Sequence, residues 1–128
     1  MNKKVTYSAL LGQVLANLRK QRSLEQSELA KRMGLTQASY SRLESGKSSF
    51  SIDQMYQAAN AIGLSAIEVL EELDRFSKHL ESDGIEVAPQ MRGNSTQNLN
   101  KTAENNGVNT FVAGAALGAL ILHVLSKK

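Results

Sequence analysis

Apolar side chains recur every three or four residues along most of residues 8–82, which is the period of an amphipathic helix. The first such stretch runs from about Ser8 to Gln21. Its predicted buried stripe consists of Leu11, Val14, Leu15 and Leu18. No run of alternating apolar and polar residues competes with this period, so strands are not needed. The pattern therefore predicts an all-α fold.

Residues 25–47 predict two short helices joined by a tight turn. Gly34 falls where the first of them ends and the backbone needs a positive φ. Thr36 then begins the second as an N-cap, and Tyr40 and Leu43, three residues apart, anchor that helix inward. The side chains thereby turned outward are Gln37, Ala38, Ser41 and Arg42. This arrangement predicts a helix-turn-helix with a recognition face made of these four residues.

Two later helices begin with capping-box patterns, in which a serine is followed three residues later by Gln or Glu. Ser51 with Gln54 opens the fourth helix, Gly63 ends it, and Ser65 with Glu68 opens the fifth. The residues predicted on the inward faces are Ile52, Met55, Ala59 and Ile62 in the fourth helix and Ile67 and Leu70 in the fifth. Five short helices around about a dozen aliphatic side chains make a small core.

The fifth helix extends beyond what this core requires. Four of its residues follow a 4-3-4 spacing, which is typical of paired helices; they are Val69, Leu73, Phe76 and Leu80. One interpretation is a dimer seam, which suits a protein that binds two DNA half-sites. The other is that the four residues only complete the core of their own chain. Since the pattern covers fewer than two heptads, both interpretations stay open.

The stretch from about Leu11 to Leu73 resembles the Xre/Cro family of helix-turn-helix repressors. The similarity rests on the L-x-x-L-R that ends at Arg19, on Gln26 at the start of the second helix, and on the S-R-L-E-S-G-K that ends at Lys47. The resemblance implies an all-α, five-helix Xre/Cro-type domain in residues 1–82. It also implies double-stranded DNA as a partner.

Residue roles follow from this resemblance. Gln37, Ala38, Ser41 and Arg42 would contact bases, and Gln26, Thr36, Ser45 and Lys47 would contact phosphates. Gln26 would also brace Gln37, and Arg19 would pair with Glu44 as an internal strut. Glu25 departs from the family, which has a small hydroxyl or amide residue before the glutamine, although a carboxylate can still cap a helix.

Charge is divided unevenly along the chain. Residues 1–50 hold nine Lys and Arg against three acids, whereas residues 51–83 hold two against seven. The basic half contains the predicted recognition face, which favours a nucleic-acid partner. The chain has no cysteine, so disulfides and thiolate metal sites are excluded and a reducing cytoplasm is suitable. No signal peptide is expected, because Met1–Tyr7 is polar.

Catalysis is not expected. His79 and His123 lie in different regions, and neither has a nearby Ser or Asp at a spacing that builds a nucleophile and a base. We therefore predict a protein that is not an enzyme and that needs no cofactor and no metal.

Beyond the helical domain the composition changes twice. Residues 83–107 hold Pro89, three glycines and several asparagines, which predicts a flexible polar linker. Residues 111–125 carry no charge and are apolar on every side, so residues 108–126 are predicted to form a hydrophobic helix of nearly membrane-spanning length. Gly114 and Gly118 would let two such helices approach closely in a membrane. The alternative is a soluble helix that mediates oligomerisation.

Two functions from different classes remain. The first is a sequence-specific DNA-binding regulator, a repressor that acts as a homodimer in the cytoplasm, with the C-terminal helix as a candidate anchor at the inner face of the membrane. The second is a membrane-anchored interaction protein that uses the helix-turn-helix fold as a docking module. The polar recognition face favours DNA, because a docking surface would more often expose aromatic residues there.

Overall fold

A computed structural model describes residues 3–90, 110–111 and 118. Within these residues the chain forms five helices, as predicted. They are α1 (Tyr7–Gln21), α2 (Gln26–Arg32), α3 (Gln37–Glu44), α4 (Ile52–Ile62) and α5 (Ala66–Ser82). Three short strands accompany them, namely β1 (Lys3–Thr6), β2 (Ile85–Ala88) and β3 (Thr110–Phe111).

The starts and ends of the helices follow local sequence chemistry. Both predicted capping boxes are present, at Ser51 for α4 and at Ser65 for α5, with the serine side chain and the third helical residue bonded reciprocally. Gly63 ends α4 in the left-handed conformation, at φ +88°. Glu25 occupies the N-cap of α2 without a side-chain capping bond, so its carboxylate does not act there as the sequence suggested.

The core lies between α1 and the other helices. α1 contacts α3, α4 and α5, and its predicted stripe of Leu11, Val14, Leu15 and Leu18 is buried. The largest fully buried side chains come from elements throughout the domain, and they include Tyr40, Phe76, Leu10, Leu15, Leu29 and Leu80. Burial of these apolar surfaces is the main stabilising term of the fold.

The expectation that the fold needs no strands was wrong. β1 pairs in parallel with β2 from Lys3↔Ile85 to Thr6↔Ala88, and it also pairs in parallel with β3, which makes it the central strand. Ile85 and Val87 each expose only 5% of their surface, whereas Glu86 between them is exposed. A strand this short shows too little alternation to be recognised, and its partner lies far away in the sequence. The predicted linker from residue 83 therefore starts with ordered structure, and residues 85–88 belong to the domain.

The inward face predicted for α5 requires two corrections. Val69, Leu73, Phe76 and Leu80 are buried in the core of their own chain, so these four side chains cannot form a dimer seam. Ile67 and Leu70, predicted to point inward, are 69% and 41% exposed. The physical reason is the helical repeat, because a stripe through residue 69 and residue 73 places residue 67 on the opposite side. Ile52 of α4 is likewise 69% exposed.

Most of the apolar segment 108–126, including Gly114, lies outside the described residues. Gly118 is helical. A Cβ placed on it would be 3.2 Å from Gln13 Oε1 of α1. Within the part of the chain that the structure describes, no helix has the length and apolarity needed to cross a membrane.

Candidate nucleic-acid interface

The turn between α2 and α3 is built on Gly34. This residue adopts φ +73°, a left-handed conformation that glycine reaches without strain. The Gly34 amide donates to the Lys31 carbonyl at 3.0 Å, and the Leu35 amide donates to the Ala30 carbonyl at 2.9 Å. These two bonds satisfy carbonyls that the end of α2 would otherwise leave free. The chain is thereby redirected into α3 within a few residues.

Thr36 begins α3, as predicted. Its Oγ1 accepts from the Ser39 amide at 3.1 Å and lies 3.0 Å from Ser39 Oγ. The Thr36 side chain is therefore a helix cap in the free protein, while the residue stays exposed at the surface. A phosphate contact by this hydroxyl would have to share or replace the bond to Ser39 Oγ.

The two faces of α3 have opposite characters. Tyr40 is fully buried and Leu43 is 3% exposed, so both anchor the helix in the core. Gln37, Ala38 and Arg42 are exposed, and Ser41 is half-buried. The structure thus brings the four residues predicted to contact bases onto the outer side of one short helix.

The C-terminal end of α3 is closed by Gly46, at φ +82°. The Lys47 amide donates to the Arg42 carbonyl at 2.9 Å. A Cβ on Gly46 would lie 3.0 Å from Ala9 Cβ, so the turn also packs closely against α1. Lys47 is exposed directly beyond this turn, whereas the Ser45 hydroxyl donates to the Arg42 carbonyl at 3.3 Å.

Glu44, the last residue of α3, joins three helices. Its carboxylate accepts from Arg19 Nε at 2.8 Å, from Arg19 Nη2 at 3.2 Å and from Gln26 Nε2 at 2.8 Å. The strut implied by the family resemblance is therefore present in the geometry. The hydrogen bond to Glu44 raises the pKa of Arg19 above its ordinary value, against the opposing effect of burial. Gln26 is thus bonded to Glu44 rather than to Gln37, and its amide nitrogen carries a second N–H.

Tyr40 lies beside this ion pair. Its hydroxyl is buried and makes no hydrogen bond of normal geometry to the described atoms. Burial, followed by the negative charge of Glu44, raises the pKa of the phenol well above its ordinary value. Tyr40 therefore remains neutral and serves as an apolar anchor for α3.

Sequence reasoning missed two residues of α1 that hold the end of the recognition helix. A Cβ on Gly12 would lie 2.5 Å from the Leu43 carbonyl oxygen and 2.6 Å from that of Glu44, so glycine is required for this close approach. Gln13 Nε2 donates to the Glu44 carbonyl at 3.1 Å. An isolated glycine inside a helical pattern was the available signal, because it often marks a close backbone contact.

Comparison with known proteins agrees with this geometry. A family model described as Helix-turn-helix (HTH_3) matches residues 15–69. The uncharacterized HTH-type transcriptional regulator y4dJ of Sinorhizobium fredii is 34% identical over 65 residues, which cover 51% of this chain and 84% of the relative. The chain belongs to the Xre/Cro-type helix-turn-helix family of transcriptional regulators.

Solved structures resemble about half of this helix-turn-helix regulator. The clp gene regulator ClgR of C. glutamicum is 26% identical, with a TM-score of 0.52, over 55% of this chain and 91% of that one. A point mutant of the restriction-modification controller protein C.Esp1396I has a TM-score of 0.52 over 54% of this chain and 90% of that one. Its 17% identity shows a common fold alone. The strands and the C-terminal segment lie outside the residues that the family model matches.

Proposed function

We propose that this helix-turn-helix regulator binds double-stranded DNA sequence-specifically and represses transcription. The observation that carries the proposal is the division of α3 into a buried face and an exposed polar face. Tyr40 and Leu43 fix the helix in the core, and Gln37 and Arg42 extend from it into solvent. A short, firmly anchored helix with exposed polar side chains is the element that enters a major groove.

The exposed groups have the chemistry of base readout. An amide such as that of Gln37 can bond adenine through two atoms, and a guanidinium such as that of Arg42 can do the same with guanine. Ser41 can bond either kind of base, and the Ala38 methyl group can contact the thymine methyl. The excess of basic residues in the N-terminal half of the chain would attract the phosphate backbone around this helix.

The phosphate contacts are proposed on both sides of the recognition face. Lys47 is exposed beyond the end of α3, and Ser45, half-buried, lies in the same turn. Thr36 and Gln26 lie at the starts of α3 and α2. Backbone contacts at both ends of a recognition helix fix its register on the duplex without reading sequence.

We also propose that the regulator binds as a homodimer. A dimer would place two recognition helices on half-sites one turn of DNA apart, and it would block other proteins from the same stretch, which is repression by occlusion. We place the interface on the surface of α4 and α5, because four large apolar side chains are exposed there. They are Ile52, Tyr56, Ile67 and Leu70. Apolar groups of this size are the usual core of such contacts.

A binding selection tests the proposed function. The full chain would be offered fragmented genomic DNA of its source at about 150 mM salt, where weak charge interactions are largely screened. A Gln37→Ala, Arg42→Ala variant is compared with a matched control, Gln57→Ala, Lys78→Ala, which removes the same kinds of side chain from exposed positions of α4 and α5. Circular dichroism confirms that both variants are folded.

The expected result is enrichment of a near-palindromic site by the parent chain and by the control, and its loss in the α3 variant. Sequence-specific recognition would be contradicted if no DNA site were enriched. It would also be contradicted if all three proteins bound DNA equally and in a salt-sensitive way. That result would favour the alternative, a docking module whose apolar C-terminal segment contacts a membrane.

A further inference from the structure

The C-terminal segment contacts the domain at two described places. At the first, β3 pairs in parallel with β1, with Lys3 opposite Thr110 and Lys4 opposite Phe111. β1 therefore has a neighbouring strand on each side, and the edge that does not face β2 is paired at Lys3 and Lys4. These residues lie outside the range matched by the family model, so the contact is an addition to the shared helical domain.

The second contact is at Gly118. A Cβ on this residue would be 3.2 Å from Gln13 Oε1, which is closer than a side chain normally approaches. The amide nitrogen of the same Gln13 side chain donates to the Glu44 carbonyl at 3.1 Å. One side chain of α1 therefore lies beside Gly118 and also donates a hydrogen bond to the last residue of the recognition helix.

We propose that Thr110, Phe111 and Gly118 form an intramolecular strap that docks on β1 and α1 and, through Gln13, steadies the C-terminal end of α3. The two contacts occur in the same order along the strap as along the domain, since Phe111 meets Lys4 and Gly118 meets Gln13.

The strand that pairs with β1 on the side opposite β2 comes from the same chain, for a geometric reason. β2 and β3 flank one strand, so their axes are only about 10 Å apart. The chain between Ala88 and Thr110 has enough residues to cover this distance several times over, since an extended chain spans about 3.3 Å per residue. A tether of this reach gives the strap an effective concentration in the millimolar range, which favours it over a second copy at ordinary protein concentrations.

A disulfide lock tests the docking. The chain contains no cysteine, so Lys3→Cys with Thr110→Cys introduces one unambiguous pair. Neighbouring strands are about 4.8 Å apart, within the range that a disulfide spans. We expect mild oxidation of the full chain to give a cross-linked monomer, at least about tenfold faster than in the control pair Lys3→Cys with Ser126→Cys. The proposal would be overturned by equal rates of oxidation in the two pairs, or by cross-linked dimers without cross-linked monomer. It would also be overturned if the disulfide failed to form when anionic lipid vesicles were present during oxidation.

A double-mutant cycle tests the link to the recognition helix. Gly118→Leu introduces a side chain where Gln13 lies, and we expect amide hydrogen exchange in residues 42–48 to become about tenfold faster. In a Gln13→Ala background the same change should have little further effect, because the colliding carboxamide is gone. Equal effects in both backgrounds, or unchanged exchange in the oxidised lock relative to its reduced form, would show that the strap does not act through Gln13. Both readouts are independent of DNA binding.

Discussion

The Arg19 guanidinium and the Glu44 carboxylate form a two-point ion pair inside the domain. Arg19 Nε is 2.8 Å from Glu44 Oε2, and Arg19 Nη2 is 3.2 Å from Glu44 Oε1. The two residues expose only 8% and 5% of their surfaces. Arg19 Nη1 also donates to the Leu24 carbonyl at 2.8 Å, so the same guanidinium holds the loop before α2. The pair thereby fixes the end of the recognition helix relative to α1 and α2.

Arg19→Met should lower the free energy of unfolding by about 3–5 kcal/mol, because it leaves a buried carboxylate without its counter-charge. Urea denaturation of the full chain measures this loss. Lys78→Met is the matched control, since Lys78 pairs with Asp74 at 3.0 Å but both side chains are mostly exposed. The control should lose less than about 1 kcal/mol. Similar losses of unfolding free energy in the two variants would mean that the buried ion pair stabilises the fold no more than the exposed pair does.

Gly12→Ala should destabilise the domain by about 1–3 kcal/mol, even though alanine is the better helix former. The added Cβ would lie 2.5 Å from the Leu43 carbonyl oxygen, and backbone on both sides limits relaxation. Thermal unfolding gives the size of the effect. Gly34→Ala provides a contrast, because nothing lies within 4 Å of a Cβ there and only the strain of φ +73° opposes it. That strain should amount to about 1 kcal/mol.

Gln37→Ala and Lys47→Ala should weaken DNA binding in different ways. The first should lose about 1–3 kcal/mol on the selected site and little on random DNA, since it removes a base contact. The second should weaken binding to both and reduce the slope of log K against log salt by about one unit, since it removes a phosphate contact. Fluorescence anisotropy titrations at several salt concentrations separate the two effects. A Gln37→Ala variant that loses equally on both DNAs would contradict its assignment to base readout.

Ile67→Asp should raise the dimer dissociation constant at least about tenfold, because it places a charge in the proposed apolar interface. Ile67 is 69% exposed, so the change should leave the monomer folded. Sedimentation equilibrium of the full chain gives the constant, and Glu81→Ala, at the exposed end of α5, is the control. An unchanged constant for Ile67→Asp would remove α5 from the proposed interface.

The cap of α5 should make stability depend on pH in acid. The Ser65 amide donates to Glu68 Oε1 at 2.9 Å, and this bond, followed by the one to the Ser65 side chain, lowers the pKa of Glu68 below its ordinary 4.5. A carboxyl group whose pKa is lowered by folding stabilises the folded protein at pH values above its pKa in the unfolded chain. This stabilisation is lost as the pH falls through the pKa of the group in the folded protein. Carboxyl NMR titration gives the folded value. Glu68→Gln keeps an acceptor but cannot titrate, so its stability should depend less on pH below 4.5.

Local signals along the chain predicted the helical domain well. Serine at each capping box, Gly34 at the turn, and Tyr40 with Leu43 on the inner face of α3 all act within a few residues, so their spacing alone is informative. The four residues assigned to the recognition face also followed from this spacing. The strut between Arg19 and Glu44 came instead from family resemblance, because no local rule joins residues so far apart.

The errors occurred where distant parts of the chain compete for the core. The spacing of Val69, Leu73, Phe76 and Leu80 fits a partner helix and an internal core equally well, and only the position of α1 and β2 against α5 decides between them. Ile67 and Leu70 looked inward because they are apolar, yet the helix can bury only one stripe. Apolarity alone does not determine which stripe that is.

The sequence by itself determined the helices, their caps, the tight turn at Gly34 and the polar outer face of α3, because each depends on backbone and side-chain chemistry within one or two helical turns. Tertiary structure alone decided the parallel pairing of β1 with β2, the close approach of Gly12 to α3, and the bonding of Gln26 to Glu44. These contacts join residues that are far apart in the chain. They exist only because burial of the shared core brings their elements together, and no local pattern records that geometry.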